Sequence, residues 1–259
     1  MPFLETSNSR LAYDDVGSGP AILFSHGFLM DRTMFAPQIE ALRDRYRCIS
    51  WDQRGFGDTG PARAPFSYWD SAQDALALLD HLDVPQAVLV GLSQGGFLSM
   101  RAALLAPGRV RGLVLVSTRS GLDTRETVDG FKGLRAEWAA NGAANVSNNL
   151  SAILIGDGTD AAPWQSKWAR MSKEALLWPI DALTGRDDLT PRLGEISCPS
   201  LVIHGDADPA IDVAHGDALA RALPQGAGFV RIAGAGHAPP LTHSVEVSRA
   251  IERFLAGIA

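Results

Sequence analysis

The 259-residue chain is 46% hydrophobic and 20% charged, an ordinary globular balance. Its formal charge of −6 and pI near 5.5 argue against nucleic acid as a partner, because nucleic acid selects basic surfaces. The opening MPFLETSNSR lacks the basic and apolar regions of a secretory signal, and no apolar run reaches the roughly 18 residues of a membrane span.

In chain order, RLAYDDVG (10–17) alternates like an edge strand. AILFSHG (21–27), RCISWD (47–52), AVLVGLS (87–93), GLVLVST (112–118), SLVIHG (200–205) and GFVRIAG (228–234) read as central strands buried on both faces. Helical periodicity falls between them, at 34–45, 68–83, 94–106, 213–223 and 243–257. This alternation predicts an α/β fold, a mostly parallel sheet flanked by helices. It breaks once, over 124–188, where the text turns helical. The predicted organisation is therefore a core of 1–123 and 189–259 with a helical lid at 124–188. The lid would cover the carboxyl edge of the sheet, where open α/β sheets bind ligands. Cys48 and Cys198 are the two cysteines, far apart in sequence, and read as buried thiols in a reducing cytoplasm.

The stretch VLVGLSQGGFLSM (88–100) sets Ser93 between an aliphatic strand and a helical run. Gly91-Leu92-Ser93-Gln94-Gly95 is G-x-S-x-G in strand–turn–helix context. Such a sharp turn strains the serine backbone and brings neighbouring chain close, so glycines 91, 95 and 96 are needed for lack of a Cβ. The hydroxyl then projects at the sheet edge, where a helix N-terminus stabilises developing negative charge.

Together with SHGF (25–28), WDQRGFGDTG (51–60), LVIHGDADP (201–209) and AGAGHAPPL (233–241), this segment makes nearly the whole chain outside 124–188 resemble the α/β-hydrolases. The likeness is to the group holding cofactor-free haloperoxidases, aryl esterases and 3-oxoadipate enol-lactonases. The resemblance implies a serine hydrolase of a small-molecule carboxylic ester or lactone, with no cofactor and no metal. It implies Ser93 as nucleophile and His237, after the last strand, as the base that a weakly nucleophilic alcohol needs. Asp206, Asp208 and Asp212 all follow the strand SLVIHG. The family pattern H-G-x-x-D and the chain order Ser, Asp, His select Asp208 to orient His237. Pro209 also restricts the backbone of Asp208. By position, the backbone N–H groups of Phe28 and Gln94 would meet the oxyanion, with side-chain identity secondary there and His26 shaping the loop. WDQRGFGDTG reads as scaffold, with Arg54 and Asp58 as a possible pair.

Other chemistries lack their residues. A dehalogenase of this fold would carry aspartate at position 93, no dense His/Asp metal cluster occurs, and no nucleotide-binding glycine motif appears. Trp164, Trp168 and Met171, spaced i, i+4, i+7 within the lid, either dock it onto the body or roof a substrate pocket. A carboxylated substrate would call for a cation, with Arg119, Arg125, Arg135 and Arg170 available. Perhydrolysis, carbon–carbon bond hydrolysis and a non-catalytic receptor role are the alternatives to ester hydrolysis.

Overall fold

The aliphatic runs become the strands β1 (Phe3–Glu5), β2 (Arg10–Val16), β3 (Ala21–Ser25), β4 (Arg47–Trp51), β5 (Ala87–Leu92), β6 (Val110–Val116), β7 (Ser200–Gly205) and β8 (Phe229–Ile232). The helices are α1 (Ala36–Leu42), α2 (Tyr68–His81), α3 (Gln94–Leu105), α4 (Arg125–Asn141), α5 (Ser147–Leu154), α6 (Ala162–Trp168), α7 (Leu177–Thr184), α8 (Val213–Ala222), α9 (Pro239–Thr242) and α10 (Ser244–Gly257). The structure, a computed structural model, describes residues 2–6, 9–156, 161–224 and 228–258.

The described strands form one eight-stranded sheet in the order β1-β2-β4-β3-β5-β6-β7-β8. β1 and β2 run antiparallel to their neighbours, and every other pairing is parallel. β5 and β7 are buried at every position, as continuous aliphatic runs in a two-sided sheet should be. Each Leu, Ile, Val or Phe enclosed there contributes about 1.5–3 kcal/mol. RLAYDDVG is not an edge strand: β1 pairs outside it through Phe3↔Ala12. Three residues are too few to carry a recognisable alternation, so β1 escaped the sequence reading.

Local signals explain the helix starts. Ser67 and Asp70 make a reciprocal capping box for α2, Thr124 caps α4, and Asp212 accepts from the Ala214 amide to cap α8. α3 differs, because Ser93 stands at its N-terminus with no side-chain cap bond.

The chain steps from β3 to β4 on one side, then to β5 on the other side of β3. That reversal opens a crevice at the carboxyl ends of β3 and β5, where α/β sheets place their ligands. Between β6 and β7 run α4 to α7. The base of this excursion is stitched: the Leu189 amide donates to Ser120 O (3.1 Å), and Arg186 reaches Gly121 O (3.1 Å) and Asp123. Trp138 and Trp168 are fully buried, and Trp168 Nε1 donates to Leu29 O at 2.6 Å. α6 ends at Trp168, so Met171 lies beyond it and the expected three-residue helical stripe is cut short. Both cysteines are free and buried.

Candidate active site

Ser93 adopts φ 51°, ψ −112°, a conformation that costs an L-residue about 1–3 kcal/mol. The surrounding glycines make it attainable. A methyl group at Gly91 would strike the Gly95 backbone, one at Gly95 the Ser25 carbonyl, and one at Gly96 the Thr118 side chain. The turn is held by Ser93 N–H donating to Val116 O (2.9 Å) and Thr118 Oγ1 donating to Ser93 O (2.8 Å).

Asp208 follows β7 and His237 follows β8. His237 Nδ1 lies 2.9 Å from Asp208 Oδ2 and 3.1 Å from Oδ1. An ionised carboxylate only accepts, so Nδ1 carries the proton and Nε2 keeps its lone pair. The carboxylate also accepts from the amides of Ala210 (2.8 Å) and Ile211 (3.0 Å), and His204 Nε2 stands 3.2 Å away. Burial opposes the charge on Asp208, but the hydrogen bonds from His204 and His237 outweigh it and hold the carboxyl well below its ordinary range. Asp206 turns elsewhere, accepting from the Gly234 amide at 2.7 Å.

Ser93 and His237 line one cavity of about 530 Å³. Its walls are Phe28 and Phe97 from the core side, Phe131 and Leu134 from α4, and Leu150 and Ile153 from α5. The substrate-pocket expectation for Trp164, Trp168 and Met171 needs correction, since none of the three lines this cavity. Trp168 and Met171 instead line a second cavity of about 500 Å³ beside Leu29. Trp164 is buried, with Lys167 Nζ 4.3 Å from its ring centroid. The reason is the Trp168–Leu29 hydrogen bond, which turns α6 onto the loop after β3.

Of the four arginines considered, Arg119 lines the Ser93 cavity. Arg125 pairs with Asp129, Arg135 with Asp181, and Arg170 lines the second cavity. Arg119 shares Asp123 with Arg186, and its buried Nε has no hydrogen-bond partner. Burial, with Arg186 adding to it against the pull of Asp208, brings the Arg119 guanidinium down to about 10. The expected Arg54–Asp58 pair does not form. Arg54 makes a two-pronged bond to the buried Asp74 on α2 (2.5 and 2.8 Å), while Asp58 pairs with Arg32 (2.7 Å). A desolvated carboxylate demands a cation, and Asp74 is far more buried than Asp58.

The profile of the α/β-hydrolase fold family matches residues 20–158, more than half of the chain. The chain belongs to the α/β-hydrolase family. It is 32% identical to BpoC of Mycobacterium tuberculosis, named a non-heme bromoperoxidase, over 96% of this chain and 98% of that one. It is 30% identical to the pimeloyl-[acyl-carrier protein] methyl ester esterase of Xanthomonas oryzae pv. oryzae, over 95% and 98%. Among solved structures, a thermophilic esterase of Thermogutta terrifontis superposes with a TM-score of 0.92 at 28% identity, covering 100% of this chain and 99% of that one.

Sequence reading of this α/β-hydrolase missed several residues around the site. Gln53, Tyr68 and His204 each contact a site residue, but each contact joins distant stretches or crosses a turn, and no local pattern announces it. His26 is fully buried, with Nε2 accepting from the Gln53 amide (3.0 Å) and Nδ1 2.8 Å from Gly27 O. Burial lowers its pKa against the opposing pull of Asp52. Among the described residues, no group of three or more His, Cys, Asp and Glu side chains can hold a metal ion, and no helix is long and apolar enough to cross a membrane.

Proposed function

We propose that the protein hydrolyses carboxylic esters through Ser93, His237 and Asp208 by way of an acyl-enzyme. One observation carries this: a serine on a strained elbow and an imidazole bonded to a carboxylate open into the same cavity. Ser93 Oγ attacks the acyl carbon as His237 Nε2 takes its proton. Asp208 holds the Nδ1–H tautomer and balances the imidazolium that forms. The Phe28 and Gln94 amides receive the oxyanion. His237 passes the proton to the departing alcohol, then draws one from water as it attacks the acyl carbon, and returns that proton to Ser93 Oγ as the acid leaves.

Residues 124–188 act as the lid, with α4 and α5 roofing an apolar cavity that suits an aliphatic or aryl acyl group. A second reading rests on Arg119: its guanidinium on the cavity wall favours a substrate that also carries a carboxylate, such as an acidic lactone. The likeness to BpoC supports peroxide as a secondary acceptor of the same acyl group. Two separate buried thiols support a cytoplasmic location.

A fluorophosphonate probe should label wild-type protein at Ser93, and a panel of p-nitrophenyl esters against aliphatic and carboxylated lactones should show turnover. No labelling and no turnover across the panel would leave a non-catalytic binding protein on this fold as the better account.

A further inference from the structure

We propose that a buried hydrogen-bond chain, Tyr68–Gln94–Gln53–His26, is a positioning brace that sets the oxyanion hole. The inference rests on the hydrolase reading above. The hole draws its two N–H donors from separate segments, the loop after β3 and the first residue of α3. Both must aim at one point about 3 Å away before any charge develops.

Each link of the chain has a fixed direction. Tyr68 Oη donates to Gln94 Oε1 (3.2 Å), Gln94 Nε2 donates to Gln53 Oε1 (3.1 Å), and Gln53 Nε2 donates to His26 O (2.6 Å). Gln53 makes a second bond to the same residue, its backbone N–H donating to His26 Nε2 at 3.0 Å. A backbone amide can only donate, so Nε2 must accept and the ring proton must sit on Nδ1. Nδ1–H then donates to Gly27 O, 2.8 Å away.

This last bond reaches the chemistry. Gly27 C=O and Phe28 N–H are opposite sides of one planar peptide unit. Holding the carbonyl therefore holds the direction of the Phe28 N–H. At the other end, Gln94 supplies the second donor from its backbone and the brace from its side chain. The amide at position 94 is thus more than a bystander to its own N–H. Two carboxamides tie the elbow to the loop, and Tyr68 on α2 fixes the outer end.

All four side chains are buried, with no more than 3% of any residue exposed. Water cannot replace a lost link there, so a broken bond leaves an unpaired polar group or a shifted loop.

The test uses Gln53→Met and Gln94→Met, which keep most of the volume, and Tyr68→Phe, which deletes one hydroxyl. For each, kcat and KM are measured on p-nitrophenyl butyrate, together with melting temperature and the inhibition constant of an aryl trifluoromethyl ketone. That ketone adds to the serine and places an oxyanion in the hole. Gln53→Met and Gln94→Met should each lower kcat about ten- to a hundredfold, below the cost of deleting a donor outright. KM should stay within about twofold, and the ketone should weaken in parallel with kcat. The double variant should cost little more than either single one, since the links act in series.

Folded Gln53→Met and Gln94→Met proteins that lose melting temperature but keep both kcat and ketone affinity would overturn the brace and leave a packing role. If the methionine variants do not fold, Tyr68→Phe decides alone: a severalfold loss of both supports the brace, and unchanged values overturn it. Wild-type protein that neither turns over esters nor accepts the fluorophosphonate would instead sink the hydrolase reading. Active wild type with indifferent variants sinks only the brace.

Discussion

At Ser93, a strained backbone carries the proposed nucleophile. The residue is held at positive φ by neighbours that need no Cβ, and its side chain contributes no helix cap in return. Ser93→Ala keeps the strain and loses the proposed nucleophile, so kcat should fall by several orders of magnitude with the fold intact. Ser93→Gly should be equally inactive but melt above Ser93→Ala, because glycine tolerates this conformation. Equal melting temperatures would show that the elbow stores no strain. Asp208 and Asp206 make a second contrast. Asp208 meets His237, His204 and two amides, whereas Asp206 meets the Gly234 amide at the surface. Asp208→Asn should cut kcat by about 10⁴, since an amide can favour the wrong imidazole tautomer and cannot balance its charge. Asp206→Asn should leave kcat within about twofold and cost at most about 1 kcal/mol of stability. Urea melts and initial rates on both variants check the pair, and a crippled Asp206→Asn beside an active Asp208→Asn would reverse the assignment.

Among the elements, docking falls to α6 and the cavity wall to α5. α6 anchors itself through Trp168, whose indole N–H bonds the Leu29 carbonyl, one residue beyond Phe28. α5 presents Leu150 and Ile153 to the cavity that holds Ser93. Trp164→Ala should therefore destabilise by about 3–5 kcal/mol while leaving the ranking of short against long acyl esters unchanged. Leu150→Ala should instead change the ranking, enlarging the cavity and raising relative kcat/KM for longer chains. A selectivity change in Trp164→Ala, with stability untouched, would return that residue to the substrate pocket. At α8 the expected effect is purely conformational: Asp212→Ala removes a cap and should cost about 0.5–2 kcal/mol without altering kcat.

Over the whole molecule, burial of titratable groups makes stability depend on pH. Burial pushes the Cys48 thiol up to about 12 and the Cys198 thiol up to about 11, against about 8.5 in an unfolded chain. The unfolded chain then releases these protons first. Their contribution is fully present below about pH 8.5 and is lost as pH rises toward 11 and 12. On the acid side the signs reverse. His26 is lowered by burial and Asp208 is lowered by its histidine bonds, so both contributions are present at neutral pH and fade on acidification. The His26 loss begins below about pH 6.5 and that of Asp208 below about pH 4. Urea midpoints should decline on both flanks, and Cys48→Ala should flatten the alkaline decline. An identical alkaline slope in that variant would remove Cys48 from the account.

Sequence alone determined the features that neighbouring residues settle among themselves. Aliphatic runs of five to seven residues mark the buried strands β3 to β7, alternating helices mark a parallel sheet, and three glycines around Ser93 mark a turn too tight for side chains. GFVRIAG, read as central, is instead the edge strand β8, with Ile232 its one buried residue. Most of the strands, the α/β class and the residues of the elbow were legible for that reason. Contacts between distant stretches were decided only by the tertiary structure. Arg54 found Asp74 rather than nearby Asp58 because desolvation on α2 outweighs sequence proximity. Trp168 turned to Leu29, 139 residues away, and carried its stripe out of the Ser93 cavity. Gln53 and Gln94, 41 residues apart, met where β4 and β5 deliver their loops to one edge of the sheet. Local propensity has no term for such meetings. They depend on strand order and on which buried polar groups must find partners once water is gone.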